Sequence, residues 1–546
     1  MYWYYTFIDL LVIAFIALMA RHLIWRGRYF LHIFQLEGYK FGEYWQWLKD
    51  NWNDRVITPE HALFTIIIFA LFAGLSDTLT GSAAKLVIII FGFFWFGPVR
   101  RYRQEREKKP LVYTPRMLRL LIPFGILSLL LPFTGTQLAY VRITFDADIY
   151  LLAFSWIVGD ILLPFLLFIA AGLTYPIEKM IHRNFKRQAR KKLEGMPNLK
   201  VVAITGSYGK TSTKFMIRDL LKERYRVCAT PGSYNTPMGI CKVINNDLQA
   251  RHQVLVLEMG ARYKGNIREL CQIAPPDIAV VTNVGLAHLE TFGSQEAIAQ
   301  TKSEIVQHMK PGGTAVLNGD DPLVSQMAEI RDDIKVVKTG LKNGEIQGSN
   351  IQYDVQGTTF SIHLDGTEQD RVNMKLLGVH NVQNMIQAMA VGSLFGLRLK
   401  TMAVAAGKVE PVEHRLEMKK EGELYVIDDA FNSNPTGARN AVEILSQFKS
   451  GRRIIVTPGM VELGEIQDEE NKKFGRIIGE ANLDLVILVG AQQTQPIKAG
   501  IRETGFDSEK IKIVKSLFKA NDLIRDYAQS GDVILYENDL PDTYNE

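Results

Sequence analysis

Residues 204–213 read ITGSYGKTST, the stretch on which the reading of the whole chain turns. It ends as a phosphate-cradling loop does, in Gly209-Lys210-Thr211, yet it is shorter than the common G-x-x-x-x-G-K-[ST] spacing. The position of the usual first glycine is Ile204, and the nearest preceding glycine is Gly206, three residues before Gly209. The run VVAIT at 201–205 reads as a buried strand, and a helix is expected from about Lys210. In such a strand–loop–helix, glycines let backbone N–H groups close on phosphate oxygens, and the helix start favours negative charge. Gly206, Ser207, Gly209, Lys210, Thr211 and Ser212 are therefore candidate nucleotide-binding residues. Lys210 suits the outer phosphates, and the Thr211 hydroxyl suits Mg²⁺.

Downstream, VLVLE (254–258) and DIAVVTN (277–283) read as further strands separated by helical stretches. That alternation predicts an α/β fold with a parallel sheet, whose functional residues gather at the carboxyl ends of the strands. Glu258 ends one strand and is placed to ligate a metal beside the loop; Asn283 ends another, and His288 follows it. Taken singly, His288 is a polar loop residue and Lys302, in AQTKSEI, a solvated helix lysine.

Upstream the composition changes. Up to about residue 176 the chain carries long apolar runs at 3–20, 62–76, 83–99, 117–133 and 150–173, against the about 20 residues a spanning helix needs. Basic residues follow the first, third and fifth runs (Arg21, Arg26 and Arg28; Arg100 to Lys109; Lys179 to Lys192), whereas 77–82 and 134–149 carry almost none. Because basic flanks stay cytoplasmic, the pattern predicts a multi-pass cell-membrane protein of about five spans, N-terminus outside and C-terminal domains in the cytoplasm. The first run has no basic residues before it, so it does not read as a cleaved signal. Residues 39–52 mix aromatic and charged side chains, as an interfacial helix or one packed on the spans would. Asp9 and Asp160 fall inside predicted spans, where a carboxylate is costly. The formal net charge of +5 forms no basic stripe, so nucleic acid is not an expected partner. The three cysteines show no metal or disulfide spacing and read as buried thiols.

The segments TGSYGKTSTKFM, PGSYNTPMGI, VLEMGARYKGNIRELCQIAPPDIAVVTNVGLAHLETFGS, AQTKSEI, LLGVHNVQNMIQAMAV, HRLE, VIDDAFNSNP and PGMVELGE follow one another in this order. Together they resemble the Mur ligase family, most of all its D-alanyl-D-alanine-adding branch, over roughly residues 198–537. The apolar runs and basic flanks mark off an α-helical transmembrane region (1–176) and a basic juxtamembrane linker (177–197); the resemblance implies a central ATP-binding P-loop domain with a parallel sheet (198–411) and a C-terminal Rossmann-like domain (412–546). It implies ATP and two Mg²⁺ ions as cofactors. Lys210 and Thr211 would serve the phosphates and the first ion, with Glu258 as a further ligand; His288 would hold the second ion with a carbamylated Lys302. Asn283, Asn381 and Asn384 would face the nucleotide, Arg415 would reach the phosphates, and Asp429 and Asn432 would close on it from the last domain.

The reaction so implied joins a carboxylate to an amine through an acyl phosphate, with an amino acid or dipeptide as donor. Two departures bear on substrate. Membrane runs stand where this branch carries a nucleotide-sugar-binding domain, and YENDLPDTYNE replaces a basic K-G-S-R-like turn after the last strand. These predict a lipid-linked carboxylate acceptor at the bilayer surface. The alternatives are a polyamide synthase of the poly-γ-glutamate or cyanophycin kind and a catalytically silent nucleotide-binding scaffold. A nucleotide-driven transporter would leave Glu258, His288 and Lys302 without a role.

Overall fold

The computed structural model describes residues 2–57, 110–141, 148–285, 289–354, 356–364, 368–411, 416–430, 435–448, 451–461 and 463–538. The chain divides into two compact units, Met1–His182 and Arg183–Glu546.

The first unit is helical. The expected span at 3–20 lies within a longer helix, Tyr2–Leu36, and those at 117–133 and 150–173 lie within Pro115–Val141 and Asp148–Glu194. The runs at 62–76 and 83–99, the basic residues Arg100–Lys109 and the Asp9 side chain fall outside the described residues. Residues 177–194, expected as a linker, continue the last helix without a break, since the basic stretch has the helical propensity of long straight side chains. Among the described residues, Ser155–Glu194 is the helical stretch long and apolar enough to cross a membrane. The aromatic segment forms the helix Phe41–Asp50, whose Tyr44 and Leu48 are buried. It packs on the Asp148–Glu194 helix: Phe41 stacks on Phe168 at 5.9 Å, and Tyr44 Oη donates to the Pro164 carbonyl at 3.2 Å. Asp160 is paired, not bare. Arg26, fully buried, donates to its carboxylate at 2.6 Å and to the Val56 carbonyl at 2.6 Å, and His22 lies 3.3 Å from it. Uncompensated buried charge is disfavoured, so this carboxylate locks the first helix to the last.

The second unit holds two sheets. The first has nine strands in the order β2-β3-β1-β4-β5-β6-β7-β8-β9. Its core is parallel: β1 (Lys200–Thr205) pairs with β3 (Val254–Glu258) and β4 (Ile278–Val281), with β2 (Val227–Ala229) outside β3 and β5 (Thr314–Asn318) and β6 (Lys335–Gly340) beyond β4. These strands read as unbroken apolar runs because both faces are covered. Val202 and Ile204 pack with Met216, Ile217 and Leu220 on one face, while Val201 and Ala203 pack with Ile298 and Ile305 on the other. The sheet is mixed, not purely parallel: β7 (Ile346–Asp354), β8 (Gly357–Leu364) and β9 (Glu368–Met374) extend it as an antiparallel meander. The meander covers one face only, so its strands alternate buried and half-exposed residues and lack the continuous apolar signal of β1–β4.

The second sheet has the order β10-β11-β15-β12-β13-β14. Apart from the antiparallel edge pair β10 (Glu417–Glu421) and β11 (Leu424–Asp429), it is parallel, and β15 (Val533–Glu537) lies between β11 and β12 (Arg453–Thr457). Strands β13 (Leu485–Val489) and β14 (Ile511–Val514) complete the other edge. Cys228, Cys241 and Cys271 are free and buried; burial pushes their thiols up to about 11, 11 and 12, away from reactive thiolate.

Candidate active site

The contracted loop joins β1 to the helix Lys210–Leu221. Two glycines fix its shape. A Cβ at Gly206 would lie 1.9 Å from Thr282 Oγ1, and one at Gly209, whose φ is +77°, would lie 2.6 Å from Asn384 Oδ1. The loop is tied to the end of β4 on several sides. Asn283 accepts from Tyr208 N at 2.8 Å, and its amide donates to the Tyr208 carbonyl at 3.2 Å. Thr282 Oγ1 donates to the same carbonyl at 2.6 Å, and Ser207 Oγ to Gly285 O at 3.1 Å. Asn283 thus shapes the loop backbone. Lys210 Nζ is held by the loop itself, on Gly206 O at 2.8 Å and Ser207 O at 2.9 Å.

Glu258, 1 % exposed, is the hub beside the loop. Thr211 Oγ1 donates to its Oε2 at 2.9 Å and Asn235 Nδ2 to its Oε1 at 3.2 Å. Lys214, one turn beyond Thr211 on the same helix face and fully buried, also reaches Oε2 at 3.2 Å and donates to the Gly232 carbonyl. Sequence reasoning assigned no role to Lys214 or Asn235. The i, i+3 spacing of Thr211 and Lys214 was the available signal for the former, while Asn235 comes from a loop whose proximity only the fold provides.

Lys302 is 3 % exposed, in the helix Gln295–Gln307. The solvated-lysine expectation is overturned, because this helix packs its Lys302 face inward. Burial, and then the neighbouring Lys210 charge, hold its amine well below the usual lysine range. Glu304, two residues on, does not neutralise it through a hydrogen bond; its carboxylate caps another helix at Gly265 N and Arg268 N.

These elements open onto one cavity of about 630 Å³, lined by Ser207 to Ser212, Glu258 and Asn283 from the first sheet's loops and by Asp429, Asn440 and Leu463 from the second sheet's side. Asn381 and Asn384 line it from the helix Val379–Leu394. Asn381 spends its amide on the Leu377 carbonyl at 2.8 Å, whereas Asn384 Nδ2 is buried with no acceptor among the described residues. Asp429 accepts from Leu416 N at 3.1 Å. His288, Arg415 and Asn432 lie outside the described residues. His380, also on the wall, stands 3.4 Å from Asn440 and was not singled out by sequence.

The residues present fit a nucleotide. The two glycine positions form a cradle that a Cβ would fill, a lysine sits at its mouth, and an unsatisfied amide donor faces the cavity. They fit a divalent ion that also binds phosphate: Thr211 and Glu258 supply hard oxygens, and among the described residues no three His, Cys, Asp or Glu side chains gather into a closed metal cage.

A contracted P-loop on a largely parallel sheet, a buried carboxylate and lysine beside it, and a second α/β sheet lining the same cavity define the class. The chain belongs to the Mur ligase family, ATP-dependent enzymes that form amide bonds: the Mur ligase middle domain matches residues 204–392 and the Mur ligase glutamate ligase domain matches residues 414–536. Within it, the chain is 31 % identical over 340 residues to the UDP-N-acetylmuramoyl-tripeptide–D-alanyl-D-alanine ligase of Bacillus subtilis, covering 62 % of this chain and 72 % of that protein. It is 37 % identical over 301 residues to the ligase of the same name from Mycobacterium bovis, spanning 54 % of this chain and 58 % of that relative's length. The MurF ligase of Thermotoga maritima, solved in complex with ADP, superposes with a TM-score of 0.59 at 29 % identity, over 65 % of this chain and 80 % of that one.

Proposed function

We propose that the chain is a membrane-anchored ligase that adds D-alanyl-D-alanine, or a similar small amine, to a carboxylate of a cell-wall peptide precursor. The observation that carries the chemistry is the cluster of Lys210, Thr211 and Glu258 at one end of the two-sheet cavity, with Lys302 buried near enough to feel the Lys210 charge. In the reaction the acceptor carboxylate attacks the γ-phosphorus of ATP, the bond to ADP breaks, and an acyl phosphate forms. The amine then attacks the acyl carbon, phosphate leaves and a proton is released. Lys210 and the loop N–H groups neutralise and orient the phosphates. Thr211 and Glu258 would hold Mg²⁺, joined in the family resemblance by His288 and Lys302, and the ion would offset phosphate charge. Burial and the Lys210 charge lower the Lys302 amine well below the usual lysine range and so favour its free form, which would add CO₂ and lose a proton; the carbamate so made would turn repulsion from Lys210 into attraction. By the family resemblance, Arg415 and Asn432 would complete the phosphate and nucleotide contacts. The Asp429 side of the cavity shields the acyl phosphate from water.

Membrane anchoring is supported by two features of the first unit. Ser155–Glu194 has the length and hydropathy of a span. On the Pro115–Val141 helix, Leu118, Ile122, Ile126, Leu129, Leu130 and Phe133 are exposed at three- and four-residue spacing, an unbroken apolar stripe. In this reading the chain is multi-pass, its ligase domains face the cytoplasm, and its acceptor is lipid-linked.

The test uses the full chain in native membranes with ATP, Mg²⁺ and D-alanyl-D-alanine, offered either the nucleotide-linked or the lipid-linked peptide precursor. ADP and phosphate release that requires both carboxylate and amine, with one amide formed per ATP on the lipid-linked acceptor, is expected. Turnover confined to the nucleotide-linked acceptor refutes the lipid-linked reading. ATP hydrolysis without amide from either acceptor refutes the ligase, and a ladder of product masses marks a polyamide synthase.

A further inference from the structure

Within the helical unit, a cleft lies between the end of the Tyr2–Leu36 helix and the helices Pro115–Val141 and Asp148–Glu194. Phe34, Tyr39, Phe41, Arg116, Tyr175 and Glu178 line it. The Arg116 guanidinium rests 4.1 Å from the centre of the Tyr39 ring, half-buried, and among the described residues no carboxylate or carbonyl accepts a hydrogen bond from it. Glu178, the cleft's one carboxylate, is already taken: Arg119 grips both its oxygens, at 2.6 and 3.1 Å. A planar cation stacked on an aromatic face keeps its in-plane donors available, and such a fork matches the oxygens of a phosphate.

The wall beneath Arg116 is built at some conformational cost. Tyr39 adopts φ +60°, a rare conformation for a bulky residue, disfavoured by about 1 kcal/mol or more. Its hydroxyl is fixed by Gln35 Nε2 at 2.9 Å, and Gln35 is itself locked by exchanging two hydrogen bonds with the Val112 backbone. Phe34 meets the Tyr39 ring edge-on at 5.7 Å, so the ring has a single seat. The two helices framing the cleft carry exposed Leu118, Ile122, Ile169 and Leu173, apolar surface suited to acyl chains beside a charged head. Of the charged side chains lining the cleft, Arg116 and Glu178, the carboxylate is already occupied by Arg119, which leaves the Arg116 charge to attract an anionic guest.

The geometry points to a binding site for the phosphate headgroup of an anionic lipid, with Arg116 as the anion's partner and Tyr39 as the platform that presents it. This rests on the reading that the helical unit lies in a bilayer. The full chain in neutral maltoside micelles is titrated with dioctanoyl phosphatidic acid, dioctanoyl phosphatidylcholine and inorganic phosphate, and bound lipid is counted by native mass spectrometry. Wild-type chain prefers phosphatidic acid over phosphatidylcholine by about tenfold, and Arg116→Gln reduces that preference to within about twofold. Glu178→Gln frees the Arg119 guanidinium and raises the affinity for phosphatidic acid, a gain that misfolding does not produce. Equal phosphatidic acid binding by wild type and Arg116→Gln overturns the proposal. So does displacement of the lipid by an equal concentration of inorganic phosphate, which marks a site for the free anion. An alkaline wash of membranes separates the two readings. Wild-type chain that washes off refutes the bilayer placement, whereas chain that stays while lacking the lipid preference refutes the headgroup site alone.

Discussion

Replacing Lys214 by methionine isolates the charge balance at the heart of the ligase site. Lys214 and Glu258 are 0 % and 1 % exposed and 3.2 Å apart, so solvent does not screen them. Methionine keeps most of the aliphatic stem and removes only the ammonium. Deleting one partner of a buried pair costs about 3–5 kcal/mol, against the roughly 0–1 kcal/mol of an exposed pair. Thr211 and Asn235 still donate to Glu258, which places the expected loss near the lower end, about 3 kcal/mol. Urea unfolding of the full chain in Mg²⁺-free buffer, followed by a probe on the second unit, measures it. The double variant Lys214→Met/Glu258→Gln carries no orphaned carboxylate, so its loss should fall short of the summed single losses by about 2 kcal/mol. Mg²⁺ should stabilise Lys214→Met more than wild type, because a cation beside Glu258 replaces the missing ammonium. A loss under about 1 kcal/mol for Lys214→Met, or strict additivity in the double variant, refutes this account.

Gly209→Ala places a methyl 2.6 Å from Asn384 Oδ1 at a positive φ, so ATP affinity by calorimetry should fall by at least about tenfold; unchanged affinity would show that the loop reshapes freely. Asn384→Ala removes a buried donor that has no acceptor among the described residues, so thermal stability should change by under about 1 kcal/mol while ATP binding weakens. Lys302 gives a signed pH effect. Its folded-state pKa is depressed, so between that value and the ordinary lysine range the unfolded chain holds more protons, and stability rises with pH. Unfolding midpoints at pH 7 and 9.5 should rise more steeply in wild type than in Lys302→Met; equal slopes would mean that Lys302 is not the titrating group.

Part of this site was legible from local order alone. Parallel strands buried on both faces announce themselves as apolar runs, and their carboxyl ends converge, so ITGSYGKTST and the Glu258 that ends VLVLE were expected near one another; Thr211 indeed donates to Glu258. The antiparallel strands at 346–374 were missed because one face is half-exposed and the apolar signal is diluted. In the helical unit, Asp160 read as a costly carboxylate, but its partner Arg26 stands 134 positions away, beyond any pattern of spacing.

By itself the sequence determined the chemistry: glycine spacing, strand-terminal Glu258 and the ordered motifs specify a phosphate-binding ligase, since these depend on residue type and short-range geometry. Only the tertiary structure decided the electrostatic surroundings of the site's lysines. Lys302 and Lys214 are both lysines on amphipathic helices, indistinguishable in composition from solvated ones. Packing buries one near Lys210, where burial and that charge lower its amine well below the usual lysine range, and the other against Glu258, where its ammonium is paired. The difference lies in which charges the fold brings within a few ångströms in a medium of low dielectric, and that is a property of the assembled sheet.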